Sequence, residues 1–429
     1  MAVRQRKKGM RSGGIARLWP TGGLWRNSDF MRLWGAESAS LLGTQITALA
    51  FPLMAITLLD ASATQMGLLA AAETAPFFVW SLFAGVWVDR RRRRPILIVA
   101  DVVRAALLIG IPIAAWLDLL RIEYMYAVAF AAGTFGVFFE VAHFAYVPAL
   151  VGRKQVVEAN SKLQISHSAA DAGGPGVAGL IVQALSAPLA LVIDAVSFLV
   201  SALLLRQIQT VEPPLERPES TSVRADVASG LRMLLGHPLL RPIVLGSIVY
   251  VIFQKAIAAL YILYATRELD IAPLTLGLIL AAGGAGAIPG ALLSARVAAR
   301  LGVGPTIVVF WFLQGATWLL VPLTTGALVV PVLAAQALLY GVVGTIVNIQ
   351  QWSLRQIVTP DELQGRVTAS HRFLVFGSFP LGALLGGTLG SLIGLRETLA
   401  LCAVALVSSG FVVLFSPLRR LQEALAGAG

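Results

Sequence analysis

The chain has 429 residues, 57% hydrophobic and only 13% charged, with a mean hydropathy of +0.80. A soluble domain carries about 25% charged residues, so the composition excludes an ordinary soluble fold and makes the apolar span of about 20 residues the unit of counting. The net charge of +11 does not call for nucleic acid, because basic residues flanking apolar spans are what membrane topology requires.

Residues 1–27 are basic, with Arg4, Arg6, Lys7, Lys8, Arg11, Arg17 and Arg26, and read as a cytosolic tail. The apolar run that follows is too long for the core of a cleaved signal peptide. Apolar runs then fall at roughly 30–58, 65–88, 95–117, 124–150, 160–183 and 186–206, and again at 241–265, 273–298, 305–325, 327–354, 366–394 and 397–417. Continuous runs of this length predict helices and not the alternating strands of a barrel. The expectation is an all-α membrane protein of twelve transmembrane helices.

Only three Lys or Arg residues, Arg121, Arg267 and Arg396, fall in odd-numbered breaks, whereas twenty-eight fall in the tails and even-numbered breaks. By the positive-inside rule both termini are cytosolic. The first cytosolic loop holds the densest charge, RRRRR at 90–94. The long polar break contains EPPLERPESTS, which reads as a linker, followed by GLRMLLGHPLLRP, which suggests a short helix lying on the membrane surface.

That break divides the spans six and six. Pro95 after span two and Pro305 after span eight are 210 residues apart, and Pro175 in span five and Pro380 in span eleven are 205 apart. The halves read as a parallel repeat: a bundle at 28–206, a linker at 207–238, a bundle at 239–420 and a cytosolic tail at 421–429. Parallel six-span repeats place a binding site between the halves near the midplane.

Four stretches resemble the major facilitator superfamily, and within it the drug exporters that include bacterial macrolide and siderophore exporters. They are FMRLWGAESASLLGTQITALAFPL in span one, GVWVDRRRRRP after span two, AADAGGPGVAG in span five and PDELQGRVTASHRFLVFGSFPLGALLGG in span eleven. The second is similar to the superfamily's loop signature at Gly85, Asp89 and Arg90, with Arg92 where Gly is usual. The third is similar to the antiporter motif at Gly174, Pro175 and Gly179. The resemblance implies the major facilitator fold, a bacterial-type plasma membrane location and a central cavity lined mainly by spans 1, 4, 7 and 10. It also implies export driven by the proton gradient without a bound cofactor, function as a monomer, and a loop at Asp89 and Arg90 that holds the closed cytosolic gate against the start of span eleven.

Ionisable groups inside spans are costly and therefore suspect as functional. Glu73 and Asp171 fall near the midplane and Glu37 about 10 Å from the cytosolic side. Glu140 and His143 are spaced i, i+3, and His167 and Asp171 i, i+4, so each pair is a proton relay or a self-satisfied structural pair. Asp101 with Arg104 reads as a structural salt pair, and Asp194 as a packing contact. Lys255 stands alone in span seven and either pairs with a carboxylate, attracts a substrate or snorkels. Gln45, Gln336 and Asn348, in spans one and ten, and Tyr250 are candidates to contact a substrate. Gln314, Gln350 and Gln351 are further candidate donors. Phe51, Trp80, Phe139, Phe144 and Phe253 are candidate apolar walls.

Gly382, Gly386, Gly390 and Gly394, and Gly286 with Gly290, recur every four residues as close-packing faces. The Gly174–Pro175 pair predicts a bend in span five.

No nucleophile, phosphate-loop or metal-ligand spacing occurs, and the four histidines are dispersed. The sequence therefore favours a small-molecule exporter coupled to protons. A lysophospholipid flippase or uptake symporter of the same fold is the alternative, and a membrane enzyme or sensor the remote one.

Overall fold

Lipid offers no partner to a backbone N–H or C=O, so long apolar segments satisfy their own hydrogen bonds as helices. The computed structural model describes residues 23–212 and 223–421. Residues 1–22 and 422–429, most of the expected tails, and 213–222 of the linker lie outside the described residues. The first half contains α1 (Ser28–Leu59), α2 (Ala63–Asp89), α3 (Arg93–Trp116), α4 (Ile122–Val151), α5 (Val156–Leu185) and α6 (Ala187–Gln207). After the short α7 (Val223–Gly236) come α8 (Leu240–Arg267), α9 (Pro273–Leu301), α10 (Val303–Thr317), α11 (Leu320–Leu323) and α12 (Val329–Val358). The chain ends with α13 (Gln364–Gly377), α14 (Phe379–Ile393) and α15 (Leu395–Leu414).

Among the described residues ten segments are long and apolar enough to cross a membrane, with α10–α11 and α13–α14 each counted as one. The two limbs of α2, Ala63–Ser81 and Phe83–Asp89, meet at 60° and make an eleventh if they form one span. Although 30 residues long, α5 is less apolar, because Asn160, Lys162, Gln164, His167 and Asp171 and several glycines occupy positions where its neighbours carry large aliphatic side chains.

The predicted repeat is visible in the packing. In the first half α1 packs on α5 and α6, α2 on α4, and α3 on α4 and α6. In the second, α8 packs on α14 and α15, α9 on α12, and α10 on α12 and α15. The turns repeat as well. Asp60 and Asp270, 210 residues apart, both adopt left-handed φ, at 48° and 49°. Ser186 and Gly394 have matching φ/ψ values of 103°/158° and 97°/162°.

The bundles meet along two seams, α5 on α9 and α2 on α14. Both are glycine seams. A Cβ on Gly67 would lie 2.6 Å from Gly387 Cα, and one on Gly179 would lie 3.0 Å from Leu274 Cα. One on Gly284 would strike the backbone carbonyl of Asp171. Close backbone approach of this kind is how helices associate where lipid removes the hydrophobic drive. The seams run from the end where Arg267 pairs with Asp60 to mid-helix, where the Phe78 and Phe373 rings stack at 5.6 Å.

At the opposite, basic end the Arg block is tied into the fold. Glu212 accepts hydrogen bonds from the Arg93 and Arg94 backbone N–H groups, both 2.8 Å. It thereby caps α3, whose N-cap Arg92 supplies no side-chain acceptor. Arg94 Nε donates to Leu205 O at 2.9 Å. Asp29 accepts from Thr210 N at 2.8 Å and Thr210 Oγ1 at 2.6 Å, so the linker's first residues are tied to α1 and α3.

The short helix expected in GLRMLLGHPLLRP forms over its first part only: α7 stops at Gly236, and α8 starts at Leu240 after Pro238 interrupts the ladder. At the Gly174–Pro175 pair α5 continues as one helix. Interruption occurs in the counterpart segment, at Ser378 between α13 and α14, two residues before Pro380.

Candidate functional site

Three helices of the first bundle converge on Glu37. Its side chain is buried in α1, with Oε1 2.9 Å from His167 Nε2 of α5 and Oε2 2.5 Å from His143 Nε2 of α4. The first contact is a hydrogen bond. The second is an ion-pair contact without hydrogen-bond alignment, leaving Glu37 Oε2 and His143 Nε2 no other partner. The side chains of Glu37 and His143 are 9% and 12% exposed, whereas that of His167 is 43% exposed. His167 is thus the open side of the cluster.

This geometry revises the expected pairs. Glu140 does not pair with His143 nor Asp171 with His167, because tertiary partners replace same-helix neighbours. Glu140 pairs instead with Arg372 of α13, across the two bundles. Asp171 accepts a hydrogen bond from Gln45 Nε2 at 2.8 Å, at the level where Gly284 packs on its backbone. Gly174 lies beside the same glutamine, where a Cβ would sit 2.6 Å from Gln45 Cγ. The two sequence-derived pairs dissolve into one triad, one interbundle bridge and one hydrogen-bonded carboxylate.

A second polar nest ties α1, α3 and α6. Asp101 accepts from Ser201 Oγ at 2.6 Å and lies 3.9 Å from Arg104, whose guanidinium covers the Phe198 ring at 3.8 Å. Asp194 accepts from Thr47 and, at 3.0 Å, from Ser197. Glu73, Arg104 and Asp194 line a cavity of about 310 Å³ in this bundle. The Lys255 ammonium rests 4.2 Å above the Phe379 ring.

The larger cavity, about 760 Å³, lies between the bundles in the basic-end halves of the helices. Tyr250, Trp311, Asn348, Trp352 and Phe376 line it from the second bundle, and Glu140 and Phe144 from α4 of the first. Of the expected contact residues, Tyr250 and Asn348 face this space. Gln45 is engaged with Asp171, Lys255 sits behind Phe379, and Gln336 is buried away from the lining. Gln350 is buried too, donating to Ser294 Oγ at 2.8 Å, whereas Gln314 and Gln351 line the cavity. Arg372 is not a candidate on sequence grounds: it lies in the span-eleven stretch TASHRF, but only tertiary structure brings Glu140 to it.

Around the loop signature the bundles stand apart. A Cβ on Gly85 would meet no atom within 4 Å, and the side chains of Asp89 and Arg90 form no hydrogen bond or ion pair among the described residues, the Arg90 backbone N–H closing α2 on Val88 O. Arg91 stacks over Trp87 at 4.5 Å. The expected contact of Asp89 and Arg90 with the start of α13 is absent from this arrangement, in which the opposite end is the closed one.

Known proteins share both the sequence pattern and the fold. The family model described as transmembrane secretion effector matches residues 23–428. The multidrug efflux pump Tap of Mycolicibacterium fortuitum is 27% identical over 403 residues, covering 89% of this chain and 93% of Tap. The enterobactin exporter EntS of Salmonella choleraesuis is 23% identical over 400 residues, covering 92% and 94%. A bacterial homologue of the iron transporter ferroportin, solved in its inward-facing state, superimposes with a TM-score of 0.73 at 15% identity, covering 92% of this chain and 99% of that one. These likenesses are to transporters and not to enzymes, and they agree with a multi-pass membrane protein. The chain belongs to the transmembrane secretion effector family of the major facilitator superfamily.

Proposed function

We propose that this protein is a proton-coupled exporter of amphipathic small molecules that works by alternating access as a monomer. In this reading α2 and α5 complete a set of twelve spans, and the basic end and both termini face the cytosol across a plasma membrane. The supporting observation is that α4 serves two sites at once. His143 contacts Glu37, while Glu140, one turn before it, and Phe144, its neighbour in sequence, face the large cavity. A change in the protonation of the Glu37 cluster therefore acts on a helix that forms the cavity wall. The half-exposed His167 is the entry point for protons, and the Glu37 carboxylate is the group that holds a protonated imidazole beside it.

The cavity suits an amphipathic cargo. Its walls are mostly aromatic and aliphatic, with a few convergent polar groups in Asn348, Gln314 and Gln351. Closed seams at the far end and an open cavity at the basic end correspond to a state ready to load from the cytosol. Export from that state requires the glycine seams to part and the basic end to close, bringing Asp89 and Arg90 towards α13.

The test is cellular. Cells producing the protein should accumulate less of a lipophilic cationic dye than cells without it, and a protonophore should abolish the difference. Equal accumulation across a broad panel of amphipathic compounds would contradict the reading.

A further inference from the structure

The charged lining of the large cavity consists of Glu140 and Arg372, with His371 as the other ionisable side chain besides Tyr250. Glu140 and Arg372 pair across the bundles, and each is about one-third exposed, 34% and 37%. Arg372 is more than a counter-ion. Its guanidinium lies 5.8 Å from the Phe144 ring centroid and 5.2 Å from that of Phe376. Phe144 is one turn from Glu140 on α4, and Phe376 one turn from Arg372 on α13, so the two helices present a carboxylate and two ring faces around one position.

A carboxylate combined with aromatic faces is a recognition site for a delocalised organic cation, because ring faces carry negative potential. An anion at the same place would meet those faces and Glu140 together. We infer that Glu140, Phe144 and Phe376 form a cation seat that Arg372 occupies in the empty cavity, and that a cationic cargo competes with Arg372 for it. The inference rests on the reading of this cavity as the cargo site. It adds the charge class of the preferred cargo and names Arg372 as the residue setting its affinity.

The competition has a mechanical result. Glu140 belongs to the first bundle and Arg372 to the second, so a cargo cation seated on Glu140 removes a bridge between them in the open half. Loading thereby releases the bundles to move. Without cargo, the bridge holds the open arrangement, which limits futile cycling. A neutral cargo enters the cavity without breaking the pair and gains nothing from it.

Purified protein in detergent tests this by equilibrium dialysis with radiolabelled tetraphenylphosphonium, a measurement that needs no transport. Arg372→Gln should bind this cation about 5-fold more tightly than the native protein, because the resident competitor is gone. Glu140→Gln should bind it about 10-fold more weakly, and the double variant should resemble Glu140→Gln. Arg372→Lys, which keeps a cation but loses the planar fork, should fall between native and Arg372→Gln. Unchanged or weaker binding by Arg372→Gln, or native affinity in Glu140→Gln, would overturn the inference, and each arm decides alone if the other variant does not fold. Dye efflux in cells is scored separately: absent efflux alongside tighter binding in Arg372→Gln defeats the export reading and leaves the seat standing.

Discussion

A carboxylate between two imidazoles inside a membrane bundle can hold, share or pass a proton, and at Glu37 those options depend on one side chain. Replacing it with Gln keeps the shape and removes the titration. Glu37→Gln should therefore reduce pH-gradient-driven transport by at least about tenfold, while dye binding to the purified protein is retained. Asp171→Asn should be milder, because the Gln45 amide remains able to hydrogen-bond an amide; comparing initial rates of the two variants under one gradient checks the order. Ser186 makes a different prediction. Its φ of 103° lies close to that of Gly394 at the equivalent turn, so Ser186→Gly should relieve strain and raise stability by about 1 kcal/mol, read as a higher melting temperature. At this scale the sequence was partly legible. Glu37, His143 and His167 stood out as ionisable groups in apolar runs, but spacing along one helix suggested the wrong partners. Helical periodicity reports which residues share a face, and partners on α1, α4, α5 and α13 are chosen by packing.

Among the elements, the seams and the linker anchors carry the consequences. Gly67 and Gly387 bring α2 and α14 to backbone contact, so Gly67→Val should cost the closed seam about 1–3 kcal/mol and shift the population away from this state. Cysteines placed at Asp60 and Arg267, which pair in this structure, should then cross-link more slowly than on the native background. Glu212 caps α3 through two N–H groups, and Glu212→Ala should lower stability by about 1–2 kcal/mol in a detergent melt, since the N-cap residue of α3 offers no side-chain acceptor. Long apolar helices were readable from hydropathy because the bilayer fixes their length. The interruption at Ser378 and the 60° bend in α2 were not. A proline states where a hydrogen bond is lost, and neighbouring helices decide whether the axis breaks.

For the molecule as a whole, the duplication was legible from the central polar break and the proline spacing, and packing of the two halves repeats it helix for helix. What the spacing did not contain is the offset of the cavity. Most of its lining comes from the second bundle, while the Glu37 cluster lies in the first, and α4 joins them through His143, Glu140 and Phe144. That division is the centre of the proposal, in which protons act in one bundle, cargo rests largely against the other, and motion between them couples the two. It is tested most directly in liposomes holding the purified protein and a trapped pH-sensitive dye, with an outward or inward gradient of a slowly permeating amphipathic cation such as ethidium. The native protein should move protons opposite to ethidium in proportion to its flux, and Glu37→Gln should not. Ethidium flux through the native protein without proton movement, or the same proton-to-ethidium ratio in Glu37→Gln, would contradict it.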